Sequence, residues 1–202
     1  MIQEPAILLV DDDEGMRQSL EFILACVEAS VVSYASPAGL LAEYEVDRPG
    51  CLVLDLQLPP MSGMELWSKL RDLGGNHPCI IITGHGSITE AVEAIQEGAV
   101  DFLEKPFQQE KLVDRVRVAL ADDKKARELR IRHNALERKL SHLTPRERQV
   151  LDLVLDGKLS KQIAKELGIT AKTVEVHRSN VTRKMEVTSV AQLFKIMNDH
   201  LQ

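Results

Sequence analysis

The sequence predicts a doubly wound α/β sheet of five parallel strands, then a helical linker, then an all-α unit of four helices carrying a helix-turn-helix. Three observations predict it. Short, continuously apolar runs alternate with helical patterns over about the first 120 residues, the pattern then becomes wholly helical, and the charge changes sign between the two halves. Strands apolar on both faces belong to a parallel sheet that is covered on both sides.

The apolar runs are Ala6–Val10, Ser30–Ala35, Cys51–Asp55, Cys79–Thr83 and Asp101–Glu104. Between them apolar residues recur at helical spacing: Met16, Leu20 and Ile23; Met64, Leu66 and Leu70; Ile88, Val92 and Ile95. From about Gln108 to about Leu140 the chain is helical, and the stretch ADDKKARELRIRHNALERKL holds neither Gly nor Pro. A seven-residue repeat runs thinly through Leu129, Leu136 and Leu143, with Ala119, Ala126 and Leu140 beside it and Asp122 and His133 interrupting it. A coiled coil and a solvated helical linker both fit that pattern.

A new segment starts at Leu143-Thr144-Pro145-Arg146-Glu147. Thr144 suits a helix cap, Pro145 the first helical position, and Glu147 completes a capping box. Further starts are expected at Ser160 and Ser189, and Gly168 separates the patterns Ser160–Leu167 and Thr170–Met185, as in a helix-turn-helix. The predicted divisions are 1–121, a linker over 122–140, and 141–202.

The chain's 202 residues suffice for two small domains, and 44% hydrophobic with 28% charged residues is ordinary for a soluble globular protein. No apolar run reaches the roughly 18 residues a bilayer requires. The opening MIQEPAILLVDDD lacks the basic flank of a signal peptide, so a cytoplasmic protein without a membrane partner is expected. Cys26, Cys51 and Cys79 have no metal-type spacing and read as buried free thiols. Residues 1–121 carry 20 Asp/Glu against 8 Lys/Arg, whereas residues 122–202 carry 11 against 17. The basic second half points to nucleic acid.

Parallel strands share one carboxyl edge, so residues distant in sequence converge there. The first strand ends in Asp11-Asp12-Asp13, the third in Asp55 and the fourth in Thr83, and the fifth is followed by Lys105-Pro106. One acid after a strand commonly caps the next helix, but a cap needs only one. Converging carboxylates repel unless a cation joins them. A hard divalent ion, Mg²⁺ or in its place Mn²⁺, meets that need and leaves positions open for a phosphate. Lys105 supplies a mobile positive charge for the phosphate, and Thr83 a hydroxyl donor.

Residues 5–121 resemble the receiver domain of two-component response regulators, a flavodoxin-like fold. The resemblance implies that Asp55 accepts a phosphoryl group from a sensor histidine kinase. It further implies that Asp12, Asp55 and the backbone carbonyl of Gln57 bind the metal, and Asp11 does so through water. Thr83 and Lys105 then contact the phosphoryl oxygens, Lys105-Pro106 is a cis peptide, and Phe102 is the switch aromatic. Asp13 receives no ligand role, and Pro59-Pro60 departs from the usual single proline. Phosphatases that form an aspartyl-phosphate carry a second Asp two residues on. Here that position is Gln57, so phosphotransfer to Asp55 and slow autodephosphorylation are expected, and no other enzymatic turnover. A flavin-phosphate carrier is disfavoured because three aspartates would repel its phosphate.

The sequence LTPRERQVLDLVLDGKLSKQIAKELGITAKTVEVHRSNVTRKMEV is similar to the LuxR-type DNA-binding domain. With the receiver and the Thr83–Gly86 stretch, the whole chain resembles the FixJ-like subclass of response regulators. Helical spacing puts Ile163, Ala164 and Leu167 on one core face, and Val174, His177 and Val181 on another, with His177 packed inside. The remaining face of the third helix carries Lys172, Thr173, Glu175, Val176, Arg178, Ser179, Arg183 and Lys184, suited to the major groove of double-stranded DNA. Glu175, Val176 and Ser179 are placed to face base edges; Lys172, Arg178 and Lys184 are placed to neutralise phosphates. The subclass implies a homodimer once phosphorylated, formed through the face at about 88–104, and transcription regulation with RNA polymerase as a further partner. A protein-interaction switch with no DNA role is the alternative, disfavoured by the basic helix.

Overall fold

A computed structural model describes residues 3–84 and 88–201. The chain divides into two compact units, 1–127 and 128–202. The first runs β1 (Ala6–Val10), α1 (Glu14–Leu24), β2 (Ser30–Tyr34), α2 (Pro37–Glu43), β3 (Gly50–Asp55), a small hairpin of β4 (Gln57–Leu58) and β5 (Met61–Ser62), α3 (Gly63–Asp72), β6 (Cys79–Thr83), α4 (Ile88–Gln96) and β7 (Asp101–Glu104). The helix α5 (Gln109–Ser141) then begins in this unit.

The five long strands form one parallel sheet in the order β2-β1-β3-β6-β7, the doubly wound arrangement the sequence predicts. Strands alternate their side chains between two cores. Ala6, Leu8, Val10, Leu52 and Leu54 pack with Leu40, Leu66, Trp67 and Leu70 from α2 and α3. Ile7, Leu9, Val53, Ile80 and Ile82 pack with Leu20, Leu24, Leu112 and Val116 from α1 and α5. The third strand begins one residue earlier than predicted, at Gly50. No side chain fits there, because a Cβ would lie 1.9 Å from the Ala6 carbonyl oxygen and φ is 151°.

On α4 Ala94 is buried, while Val92 and Ile95 are 47% and 49% exposed. One sequence expectation changes. Of the three cysteines only Cys51 and Cys79 are buried; Cys26 is exposed.

A polar network fastens α5 at the amino edge of the sheet. Asp123 Oδ2 accepts from the Gly50 backbone N–H at 2.9 Å, and Arg127 Nε donates to the same carboxylate at 2.7 Å. Arg127 also donates to the backbone carbonyls of Asp47 and Arg48. Buried His77 bridges the Arg48 carbonyl and the Tyr44 hydroxyl, at 2.7 and 2.6 Å. Burial pushes the Tyr44 phenol up to about 12.

The second unit holds the end of α5 and four helices: α6 (Pro145–Leu155), α7 (Ser160–Leu167), α8 (Ala171–Lys184) and α9 (Val190–Leu201). Its core gathers Leu136 and Leu140 with Val150, Leu151, Ile163, Val174, Val181, Met185 and Leu193. The seven-residue repeat is therefore no single seam. Leu136 and Leu140 belong to this core, Ala119 to that of the first unit, and Leu129 is exposed. The α6 capping box forms as predicted, with Glu147 N–H on Thr144 Oγ1 and Glu147 Oε2 accepting from Thr144. Gly168 ends α7 in the left-handed region at φ 66°, and Thr170 caps α8.

The start at Ser160 is as expected: it is the first residue of α7, and Leu159 before it holds the capping position with its N–H satisfied by Gln162 Oε1 at 2.8 Å.

Candidate functional site

The acidic pocket is assembled at the carboxyl edge of the sheet. Asp11 follows β1 and Asp55 ends β3, and both are buried. Lys105, just after β7, places its ammonium 2.9 Å from Asp11 Oδ2 and 2.6 Å from Asp55 Oδ2. The second oxygen of each acid is also occupied. Asp11 Oδ1 accepts from the Asp13 N–H and Asp55 Oδ1 from the Gln57 N–H, both at 2.9 Å. Thr83 is fully buried at the end of β6, and its carbonyl accepts the Lys105 N–H at 2.7 Å. Lys105–Pro106 is cis, and so is Pro59–Pro60.

The three consecutive acids divide their work. Asp13 caps α1, accepting from Met16 N–H at 2.8 Å, which is the ordinary fate of an acid after a strand. Asp12 is exposed at the edge, and Asp11 faces inward. Burial pushes the Asp11 carboxyl above its usual range, with the Asp55 charge adding to the effect and Lys105 opposing it. Burial pulls the Lys105 ammonium down, but its bonds to Asp55 and Asp11 outweigh that and leave its pKa above the ordinary lysine value. Phe102 is half-buried and packs against the core on the α2–α3 side of the sheet, and the Gln57 side chain is exposed. His85 and Gly86 of the Thr83–Gly86 stretch lie outside the described residues.

Two residues of this pocket were not legible as such in the sequence. Arg17 reaches back from α1 to the carbonyls of Asp11 and Asp12, at 2.9 and 3.2 Å. Its position one turn beyond the Asp13 cap was the available signal. Gly63 lies against the end of β3, where a Cβ would come 2.2 Å from the Asp55 carbonyl oxygen.

Among the described residues, no three acid, His or Cys side chains are gathered closely enough to form a ready metal cage. The cation held between the two acids is the Lys105 ammonium. The donor chemistry nevertheless fits a hard divalent ion: oxygen-only, with two inward carboxylates and the exposed Asp12 beside them.

In the second unit the predicted DNA-facing residues separate into two sets. Lys172, Glu175, Val176, Ser179 and Arg183 are exposed on α8. Thr173, Arg178 and Lys184 are half-buried. Arg178 donates to Ser160 Oγ at 3.1 Å, and Glu175 accepts from the same hydroxyl. Lys184 turns inward, 2.6 Å from Glu147 Oε2 and 3.1 Å from the His142 carbonyl. The position explains this. Lys184 lies three residues after Val181 and ten after Val174, on the stripe of α8 that faces the core. The lysine holds the Glu147 carboxyl down at about 2, with further hydrogen bonds from Thr144. His177 is half-buried rather than packed inside the core, with Nδ1 enclosed and unbonded.

Both halves match known families. Residues 7–117 match the response regulator receiver domain, and residues 141–197 the bacterial regulatory proteins of the luxR family. The chain is 40% identical over 190 residues to the response regulator protein TodT of Pseudomonas putida, covering 94% of this chain and 84% of that protein. It is 42% identical over 195 residues to the transcriptional regulatory protein FixJ of Rhizobium meliloti, covering 93% and 92%. The solved response regulator StyR superposes with a TM-score of 0.88 at 38% identity, covering 96% of this chain and 98% of StyR. With its aspartates and lysine at one sheet edge and its helix-turn-helix beyond, this chain belongs to the two-component response regulators, with a receiver domain and a LuxR-type DNA-binding domain.

Proposed function

We propose that Asp55 is the phosphoacceptor and that its phosphorylation by a sensor histidine kinase controls transcription. The observation that carries this is Lys105 bonded to both Asp11 and Asp55 at the edge where β1, β3, β6 and β7 end. An Asp55 oxygen attacks phosphorus as the N–P bond of a phosphohistidine breaks, and the leaving imidazole nitrogen takes the electron pair. Thr83 and Lys105 donate to the phosphoryl oxygens. Asp12, Asp55 and the Gln57 carbonyl would hold Mg²⁺ or Mn²⁺, with Asp11 acting through water. When bound, the ion neutralises charge on the transferring phosphoryl group. Gln57, two residues beyond Asp55, offers no carboxylate base for hydrolysis, so the phosphoryl group turns over slowly.

Phe102 follows Thr83, and the face at 88–104 becomes a dimer surface, for which the exposed Val92 and Ile95 are apolar material. The dimer engages paired half-sites through α8, with Lys172, Thr173, Glu175, Val176, Arg178, Ser179 and Arg183 toward the groove and Lys184 holding the helix in place. The working parts are the receiver to residue 121, the linker over 122–140 and the DNA-binding domain from 141. No helix among the described residues is long and apolar enough to cross a membrane.

Treating the full chain with acetyl phosphate and Mg²⁺ tests this. The phosphoryl group should appear on the Asp55 peptide by mass spectrometry, light scattering should shift from monomer toward dimer, and affinity for selected DNA should rise. Stable label elsewhere, with Asp55 unmodified, overturns the assignment.

A further inference from the structure

We infer that Ser160 is a positioning residue for base readout, setting the direction of the Glu175 carboxylate and holding Arg178 away from it. This inference rests on the reading of α8 as the helix that enters the groove.

Ser160 begins α7 but does not cap it, because Leu159 occupies the cap and Gln162 satisfies that backbone N–H. The hydroxyl is thereby released from the usual work of a serine at a helix start. It lies instead between two side chains of the next helix, accepting from Arg178 Nη1 at 3.1 Å and donating to Glu175 Oε1. Its single proton fixes the polarity, since a guanidinium only donates and a carboxylate only accepts.

Glu175 and Arg178 are three residues apart on α8, within reach of a direct ion pair on the helix surface. With Ser160 between them, each is bonded to the hydroxyl. Glu175 then keeps its second oxygen for a donor such as cytosine N4. Without the hydroxyl, the carboxylate loses its fixed direction and the guanidinium is free to neutralise it.

The test uses the full chain with phosphodonor and sites it selects from a random DNA pool, followed by affinities across all single-base substitutions at two salt concentrations. Ser160→Ala should lower discrimination roughly fivefold at the base pair whose preference Glu175→Ala flattens. It should leave the other positions and the salt slope unchanged. Adding Ser160→Ala to Glu175→Ala should cost nothing more at that base pair, and Ser160→Thr should restore the wild-type profile. Uniform weakening across all sequences, or an unchanged profile, overturns the inference alone. A wild-type chain that selects no site overturns the DNA reading and this inference together.

Discussion

Lys184, at the end of α8, lies 2.6 Å from Glu147 Oε2, so the α6 capping box and the proposed recognition helix share one carboxylate. Breaking a buried pair typically costs about 3–5 kcal/mol, and because Lys184 is 27% exposed we expect about 2 kcal/mol for Lys184→Ala or Glu147→Gln. The Glu147 carboxyl is depressed in the fold, to about 2. Its contribution is therefore full above the ordinary glutamate value and lost as pH falls toward 2. Acid titration followed by calorimetry should show the second unit weakening in that window in the wild type, and a smaller change in Glu147→Gln.

Lys172 should behave in the opposite way. It is exposed on α8. Lys172→Ala should leave stability unchanged, weaken binding to all DNA sequences alike and reduce the salt slope by about one. A changed base preference would assign it to readout instead.

At the acidic pocket, Asp55→Asn should abolish labelling by acetyl phosphate. Lys105→Ala should still label but fail to dimerise. The same variant should bind Mg²⁺ more tightly before phosphorylation, because the ion no longer competes with an ammonium for Asp11 and Asp55. Titration calorimetry on the wild type and Lys105→Ala measures the difference, and equal affinities would show that the lysine does not compete.

Gly63→Ala tests the support behind Asp55. The added methyl would need the Asp55 carbonyl to retreat from 2.2 Å. Overpacking of this kind costs about 1–3 kcal/mol. Denaturation followed at Trp67, the chain's single tryptophan and part of the first unit's core, should report that loss together with slower labelling.

The pocket was legible in the sequence because parallel strands share an edge, so Asp11, Asp55, Thr83 and Lys105 could be brought together without coordinates. Which of the three acids would cap α1 was not, since Asp11, Asp12 and Asp13 are chemically equal and only the chain's exit from β1 distinguishes them. Periodicity did reach the core face of α8 but was not carried on to position 184, where a lysine on an apolar stripe implied an internal acid. The α7 start at Ser160 was legible, but nothing local announces that Leu159 holds the cap ahead of it. Asp123, Arg127, His77 and Tyr44 were out of reach, because the helix meets partners about 50 to 80 positions away.

That last network gives a further expectation. Arg127→Ala leaves the buried Asp123 carboxylate without its cation, and about 3 kcal/mol of stability should go with it. Asp123→Asn should cost less, since the amide oxygen still accepts from Gly50. The Trp67 denaturation midpoint checks both.

Asp55 and Gly50 are the two ends of one strand. The strand is flanked on both sides by others and forms a stiff rod of roughly 17 Å at about 3.3 Å per residue. One tip carries the carboxylate proposed to become a dianionic acyl phosphate, a net gain of about one negative charge. The other donates to Asp123, on the helix that leaves the receiver. An axial displacement of β3 at the first tip would thus reach that helix without any intervening loop, whereas a side-chain rotation confined to the carboxyl edge would not. Gly50 would be the coupling pin between rod and helix, with no side chain to cushion the stroke.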